Sequence, residues 1–229
     1  MRIGQTATLG VRKVGLRLRE AGFRGTLLAL MSTALSPIVR RRERLIWEMN
    51  LGPLPPSVWE HGEKLMILGP DNIDRELTDQ IRAVLGGPAA EPEIEGVRGG
   101  DRLFVVATET DILSWSYIFF DTTNETRRQA RIYGEVRNTP IIGMSFTSPP
   151  ARGRGLYRRI LHEMFRYLAS MNCERAVCEV HPGNTPSNKA SLAVGMRVCR
   201  ELRDWAIFNK LFIQRVTERG RSRWRVLWV

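Results

Sequence analysis

The stretch Ser148-Pro-Pro-Ala-Arg-Gly-Arg-Gly-Leu-Tyr-Arg-Arg-Ile-Leu161 constrains the fold more than any other part of the chain. An apolar run, Pro140 to Phe146, comes immediately before it. Behind it, Leu156, Ile160, Leu161, Met164, Phe165 and Leu168 recur at spacings of three and four, the period of an amphipathic helix. The order is therefore strand, short Gly-rich loop, helix. Such a loop presents backbone N–H groups at a helix N-terminus, where the macrodipole also favours an anion. Gly153 and Gly155 allow close backbone approach, and Arg152 and Arg154 add positive charge. The loop reads as a diphosphate cradle. It lacks the Gly-Lys-Ser/Thr ending of a P-loop and does not match Gly-x-Gly-x-x-Gly.

The pattern resembles the acyl-CoA loop of the GNAT family of N-acetyltransferases, Arg/Gln-x-x-Gly-x-Gly/Ala after a strand, commonly with a Pro three residues upstream. Arg152, Gly155 and Pro149 match, and Tyr157 stands where the last Gly or Ala usually sits. A second GNAT-like stretch runs from Asn184 to Met196. There Asn184, Ser187 and Gly195 match, Met196 replaces Phe, and Ser191 replaces a frequent Tyr. The two stretches occur in the family's order, and the resemblance covers about residues 100–210.

The resemblance implies a central mixed sheet splayed between two strands, with the acyl end of the cofactor in the split. It also implies transfer of an acetyl group from acetyl-CoA to the primary amine of a small molecule, by direct attack in a ternary complex. On that reading Arg152, Gly153, Arg154, Gly155, Leu156 and Tyr157 hold the diphosphate. A main-chain N–H near Phe146 and Thr147 polarises the thioester carbonyl, and Asn184 and Ser187 lie near the pantetheine arm. Glu135, Glu179 and His181 are the candidate bases, and Glu179 is the one chosen. Ser191, in the position of the usual Tyr, is the candidate acid. His162 falls on the polar side of its helix and is expected to be exposed. Trp47, Trp59, Trp115 and Tyr117 are candidates to line the acceptor pocket, or to be core.

The chain has 229 residues, is 43% hydrophobic and carries a formal net charge of +11. Ten Lys or Arg against two Glu fall in residues 1–46, so most of the charge is N-terminal. Residues 8–20 and 26–39 have helical spacing, and Arg40, Arg41 and Arg42 follow. The expected division is a basic helical N-terminal extension, residues 1–43, and a GNAT-like acyltransferase domain, residues 44–229. The layout is similar to bacterial GNAT chains that begin with arginine-rich helices. Basic helices of this kind can pack on the main domain, lie on an anionic membrane surface, or dock an acyl carrier protein.

Within the second unit, strands are expected at Arg44–Asn50, Glu63–Leu68, Leu103–Ala107, Ile112–Phe120, Ala130–Val136, Thr139–Phe146, Arg175–Val180 and Val198–Phe208. Leu211–Val216 and Ser222–Trp228 then read as a hairpin turning at Gly220. Helices are expected at Asp71–Leu85, Leu156–Ser170 and within Pro182–Val194. Gly86–Gly100, rich in Pro, Gly and Glu, reads as a flexible connection. A meander followed by strand–helix–strand–helix–strand is a mixed α/β (α+β) architecture.

Three cysteines give no metal spacing and an odd count, which suits a reduced, cytoplasmic protein, with the inner membrane face open to the basic helices. No signal peptide is visible, and no metal is expected. Other readings keep the fold but take a longer acyl group from acyl carrier protein or acyl-CoA, or keep CoA binding without catalysis. A non-catalytic basic module for membrane or nucleic acid is the last. The arginines are not interleaved with aromatic residues and no helix-turn-helix is visible, so specific nucleic-acid binding is not expected. A homodimer is compatible with all of these.

Overall fold

The computed structural model describes residues 39–60, 62–73, 78–79, 82, 91–120, 139–208 and 210–228. Among these, nine strands form one sheet: β1 (Val39–Asn50), β2 (Lys64–Leu68), β3 (Arg102–Ala107), β4 (Ile112–Phe119), β5 (Ile141–Thr147), β6 (Arg175–Val180), β7 (Arg197–Ile207), β8 (Leu211–Glu218) and β9 (Arg221–Trp228). Their order across the sheet is β2-β3-β4-β5-β6-β1-β7-β8-β9. The described helices are α1 (Glu91–Arg98), α2 (Leu156–Ser170) and α3 (Thr185–Ala193). The expected mixed, splayed sheet with flanking helices is present. Neighbouring strands are antiparallel except β5 and β6, which are parallel and joined through α2.

The two faces of the sheet bury different sets of side chains, as the strand period of two requires. One face carries Trp47, Phe104, Val106, Ile118, Ile142, Ala176 and Cys178 against Ile160, Leu161, Met164, Phe165 and Leu168 of α2. All five of those α2 residues are fully buried. Each contributes roughly 1.5–3 kcal/mol relative to exposure. The other face carries Ile46, Leu103, Val105, Trp115, Tyr117, Ile141 and Val177 against Ile94 and Val97 of α1. Trp115 and Tyr117 are thus core residues.

Helix α1 replaces part of the flexible connection expected over Gly86–Gly100, whose residues 86–90 lie outside the described residues. Ile94 and Val97 lie one helical turn apart and are both buried, so the segment has a short apolar stripe. Pro92 falls in the first turn, where a missing N–H leaves no hydrogen bond unmade. Gly99 and Gly100 close the helix, donating to the carbonyls of Glu95 and Val97. Punctuating residues at both ends hid a helix of only eight residues.

Strand β1 begins at Val39, so the last five residues assigned to the helical extension belong to the sheet. One of its arginines, Arg44, finds cross-strand partners. Arg44 is 4% exposed and donates to Asp204 on β7 at 2.5 Å; Asp204 is 0% exposed. Compensated charge in a central strand carries no apolar alternation, and so it resembled a polar segment. Residues 1–38 and the strand expected at Ala130–Val136 lie outside the described residues, as do most of the helix expected at Asp71–Leu85 and the candidate base Glu135. No helix among the described residues is long and apolar enough to cross a membrane.

Candidate functional site

The sheet is interrupted where its strands are parallel. β5 and β6 pair only at Ile141↔Val177 and Ile142↔Cys178. Beyond Ile142, β5 stays with β4 and leaves β6. The cause lies within β5. Between the pairs Trp115↔Phe146 and Tyr117↔Gly143, β5 has one residue more than β4, which is a bulge. Met144, at its centre, has φ 50°, a left-handed conformation that costs an ordinary side chain about 1–2 kcal/mol. Such outliers persist where the surroundings enforce them. Here Ser145 bonds Ser116 at 2.6 Å and also meets the Tyr157 hydroxyl.

The split opens at the carboxyl ends of β5 and β6, where open α/β sheets bind ligands. The amide of Ser148 and the carbonyl of Phe146 both turn to β4, bonding Leu113 O and Ser114 Oγ. By strand alternation the amide of Thr147 turns the other way, into the split. Phe146 itself stacks on Trp115 with ring centroids 4.4 Å apart, so its ring is a wall.

The Gly-rich loop follows at once. Pro149–Ala151 make one 3-10 turn. Gly153 and Gly155 have φ 83° and 73°. Gly155 stands at the N-cap of α2, where no side chain caps the helix and no acidic residue occupies the first turn. The first-turn amides of Leu156, Tyr157 and Arg158 therefore lack intrahelical acceptors. Backbone groups so arranged can hold an anion.

Leu156 is 1% exposed, so only its amide is available to a ligand. Tyr157 packs against the core, and burial raises its phenol pKa far above the usual value. Arg152 donates Nε to Thr147 O at 3.1 Å and keeps an exposed guanidinium. Arg154 is held instead by Glu60 and Glu63, at 3.1 and 2.7 Å. Glu63, with a side chain 1% exposed, also takes Arg159 at 2.8 Å, which locks the loop to the segment before β2. The sequence reading missed Arg158, which is exposed in the first turn of α2. Its place one turn after Arg154 was the available signal. Trp59, another candidate pocket residue, is half-buried beneath the Arg159 guanidinium, 5.2 Å from its ring.

The residues of the second stretch divide. The Asn184 side chain caps α3 by accepting from Ser187 N, and both residues lie at the surface side of that turn. Ser191 is 0% exposed, with its hydroxyl 3.9 Å from Cys178 Sγ. A hydroxyl sealed in the core does not face the split, so the acid assigned there by position lacks access. A small side chain in the Tyr position packs inward because nothing forces it out. Trp47 is buried and donates Nε1 to Asn188, which also bonds the carbonyls of His181 and Pro182. His162 is half-buried, its Nδ1 3.3 Å from Ser57 Oγ, and is not free on the helix surface.

Glu179 and His181 sit at the end of β6 on the wall of a cavity of about 520 Å³. Its other lining residues are Arg41, Arg42, Glu43 and Arg44 of β1. Glu179 is 32% exposed and approaches Arg44 at 3.5 Å. His181 Nδ1 accepts from Gly183 N at 3.0 Å.

Residues 98–195 match a family model described as the Acetyltransferase (GNAT) family. A Drosophila protein solved by structural genomics superposes with a TM-score of 0.51 at 14% identity, over 81% of this chain and 57% of that one. A GNAT-family protein from Novosphingobium aromaticivorans superposes with a TM-score of 0.50 at 13% identity, over 72% of this chain and 64% of that one. The chain thus spans less than two thirds of the length of either. No curated protein matches the sequence. The likeness to these structures shows that the fold is the GNAT fold.

Proposed function

We propose that the chain is an acyl-CoA-dependent N-acetyltransferase acting on the primary amine of a small molecule by direct attack in a ternary complex. One observation carries this reading. A bulged strand parts from its parallel neighbour beside an uncapped helix N-terminus. The arrangement fits a thioester donor with a diphosphate: backbone amides for the phosphates, an unpaired strand edge for the acyl arm. The donor supplies an activated acyl carbon.

The first-turn amides of α2, with Arg152 and Arg158, bind the diphosphate. The amide of Thr147 stabilises the oxyanion, a preorganised donor being well suited to charge that develops only during reaction. Glu179 takes a proton from the acceptor ammonium. The C–N bond forms to give the tetrahedral oxyanion, the C–S bond breaks as it collapses, and the second proton of the attacking nitrogen passes through water to the thiolate, since Ser191 is sealed away. His181 is a poor base: its Nδ1 lone pair is engaged by Gly183, which sets the neutral ring's proton on Nε2. Acyl transfer requires the unit from Val39 onward. The basic segment before it adds a docking function for a membrane surface or an acyl carrier protein.

The test is thiol release from acetyl-CoA with an amine panel, with the acylated product identified by mass. Glu179→Gln is expected to lower kcat/KM by roughly 10²–10⁴-fold at neutral pH without weakening acetyl-CoA binding. Wild-type turnover retained in Glu179→Gln would remove the carboxylate from the mechanism.

A further inference from the structure

The cavity at the end of β6 is built to read two charges. β1 pairs with β6 only as far as Leu45↔Val180, but it continues beside β7 to Val39↔Ile207. Residues 41–44 thus form a wall beyond the end of β6. β5 is parallel to β6, so its splayed end runs toward the same side. The cavity and the split therefore lie at the same end of the sheet.

The charges on this wall are unequally matched. Arg41 bonds Glu43 at 2.9 Å, and Arg44 is buried on Asp204. Arg42 is half-buried and makes no hydrogen bond or ion pair among the described residues. Arg42 stands opposite Asp204 in the β1–β7 register and feels its charge, but Asp204 is bonded by Arg44, so the Arg42 guanidinium lacks a hydrogen-bond acceptor that an anion would supply. His181, with its neutral proton set on Nε2, is a hydrogen-bond donor to the same space. Glu179, on the facing strand, supplies the one partly exposed carboxylate of β6.

Building on the acyl-transfer reading, we propose that the acceptor is zwitterionic: an amine that also carries a carboxylate or a phosphate. Its ammonium sits on Glu179, and its anionic group sits on Arg42 and His181 Nε2. Holding the far end of the acceptor fixes the amine at the mouth of the split. It also rejects amines with a second positive charge, which would face Arg42 unpaired.

The experiment is direct binding by calorimetry to the full chain, with and without CoA, using amines of matched chain length at two lengths. At the shorter length these are 4-aminobutyrate, 3-aminopropylphosphonate, butylamine and putrescine. The two anion-bearing amines are expected to bind at least about tenfold more tightly than butylamine, and putrescine most weakly. The stronger of the two tells carboxylate from phosphate. Arg42→Gln and Arg42→Glu remove this preference, and Arg42→Lys keeps part of it. Circular dichroism and acetyl-CoA titration on the same variants show that fold and donor binding are intact. Equal binding of butylamine, no binding of any anion-bearing amine, or an unchanged preference in Arg42→Glu overturns the proposal. The donor titration separates the two failures. Anion preference without acetyl-CoA binding sinks acyl transfer and leaves a zwitterion site. Acetyl-CoA binding without anion preference sinks the zwitterion site alone.

Discussion

Arg152 and Arg154 stand two residues apart in one loop and have different partners. Arg152 carries an exposed guanidinium, and Arg154 is fixed between Glu60 and Glu63. Arg152→Gln should therefore weaken acetyl-CoA binding by about tenfold, or ~1.4 kcal/mol, with little change in Tm. Arg154→Gln should do the reverse, costing on the order of 1 kcal/mol of stability and leaving affinity nearly unchanged. Calorimetry and thermal melts on both variants decide this, and equal loss of affinity in the two would contradict it. Cys178 makes a second case. Burial pushes its thiol up to about 12, so the reactive thiolate is scarce at neutral pH. Alkylation of the native protein should label the partly exposed Cys173 and Cys199 before Cys178, as peptide mass mapping would show. Glu163 gives the pH dependence. Burial opposes its ionisation, but the Ser57 amide and Arg166 prevail and hold its pKa below the usual carboxylate value. Its stabilisation is therefore present above the unfolded pKa and is lost as pH falls through the lower, folded value. Denaturation at neutral pH and at roughly pH 4 and below should show a flatter acid loss in Glu163→Gln than in wild type.

Elements were legible where one period dominated. The α2 stripe and the β8–β9 hairpin follow the sequence reading closely. The hairpin turns through Arg219 and Gly220, both at positive φ. Elements with weak or mixed patterns were not legible. α1 was hidden by flanking Gly and Pro, and the start of β1 by a run of arginines, of which Arg44 finds its partners far away in sequence. The bulge in β5 was invisible, since no residue type announces a left-handed Met144. α1 offers a sharp test. A Cβ on Gly96 would overlap the Tyr117 hydroxyl and crowd Asp101, which that hydroxyl bonds. Gly96→Ala should cost about 1–3 kcal/mol by overpacking, despite the better helix propensity of Ala. A gain in stability would show that α1 does not pack there.

At the scale of the whole molecule, the proposed function rests on the parting of β5 from β6 among the described strands. β5 and β6 hold together at two rungs, then part, and the Gly-rich loop and the arginine wall of β1 flank the opening. The loop side of this site was legible because a helix N-terminus and its glycines are contiguous in sequence. Of the proposed acceptor side, Glu179 and His181 were legible, but Arg42 was not, because it joins their cavity only through sheet order. The most direct measurement is the melting temperature of the full chain with CoA, acetyl-CoA and a long-chain acyl-CoA, for wild type and for Arg152→Glu. A ligand that binds only the folded state raises Tm by mass action, by the equivalent of about 2.7 kcal/mol at a hundred times its Kd. A clear rise with acetyl-CoA that is lost in Arg152→Glu is the predicted result. A rise with the long-chain form alone would shift the donor to a longer acyl group, and no rise with any of the three would contradict the acyl-CoA site itself.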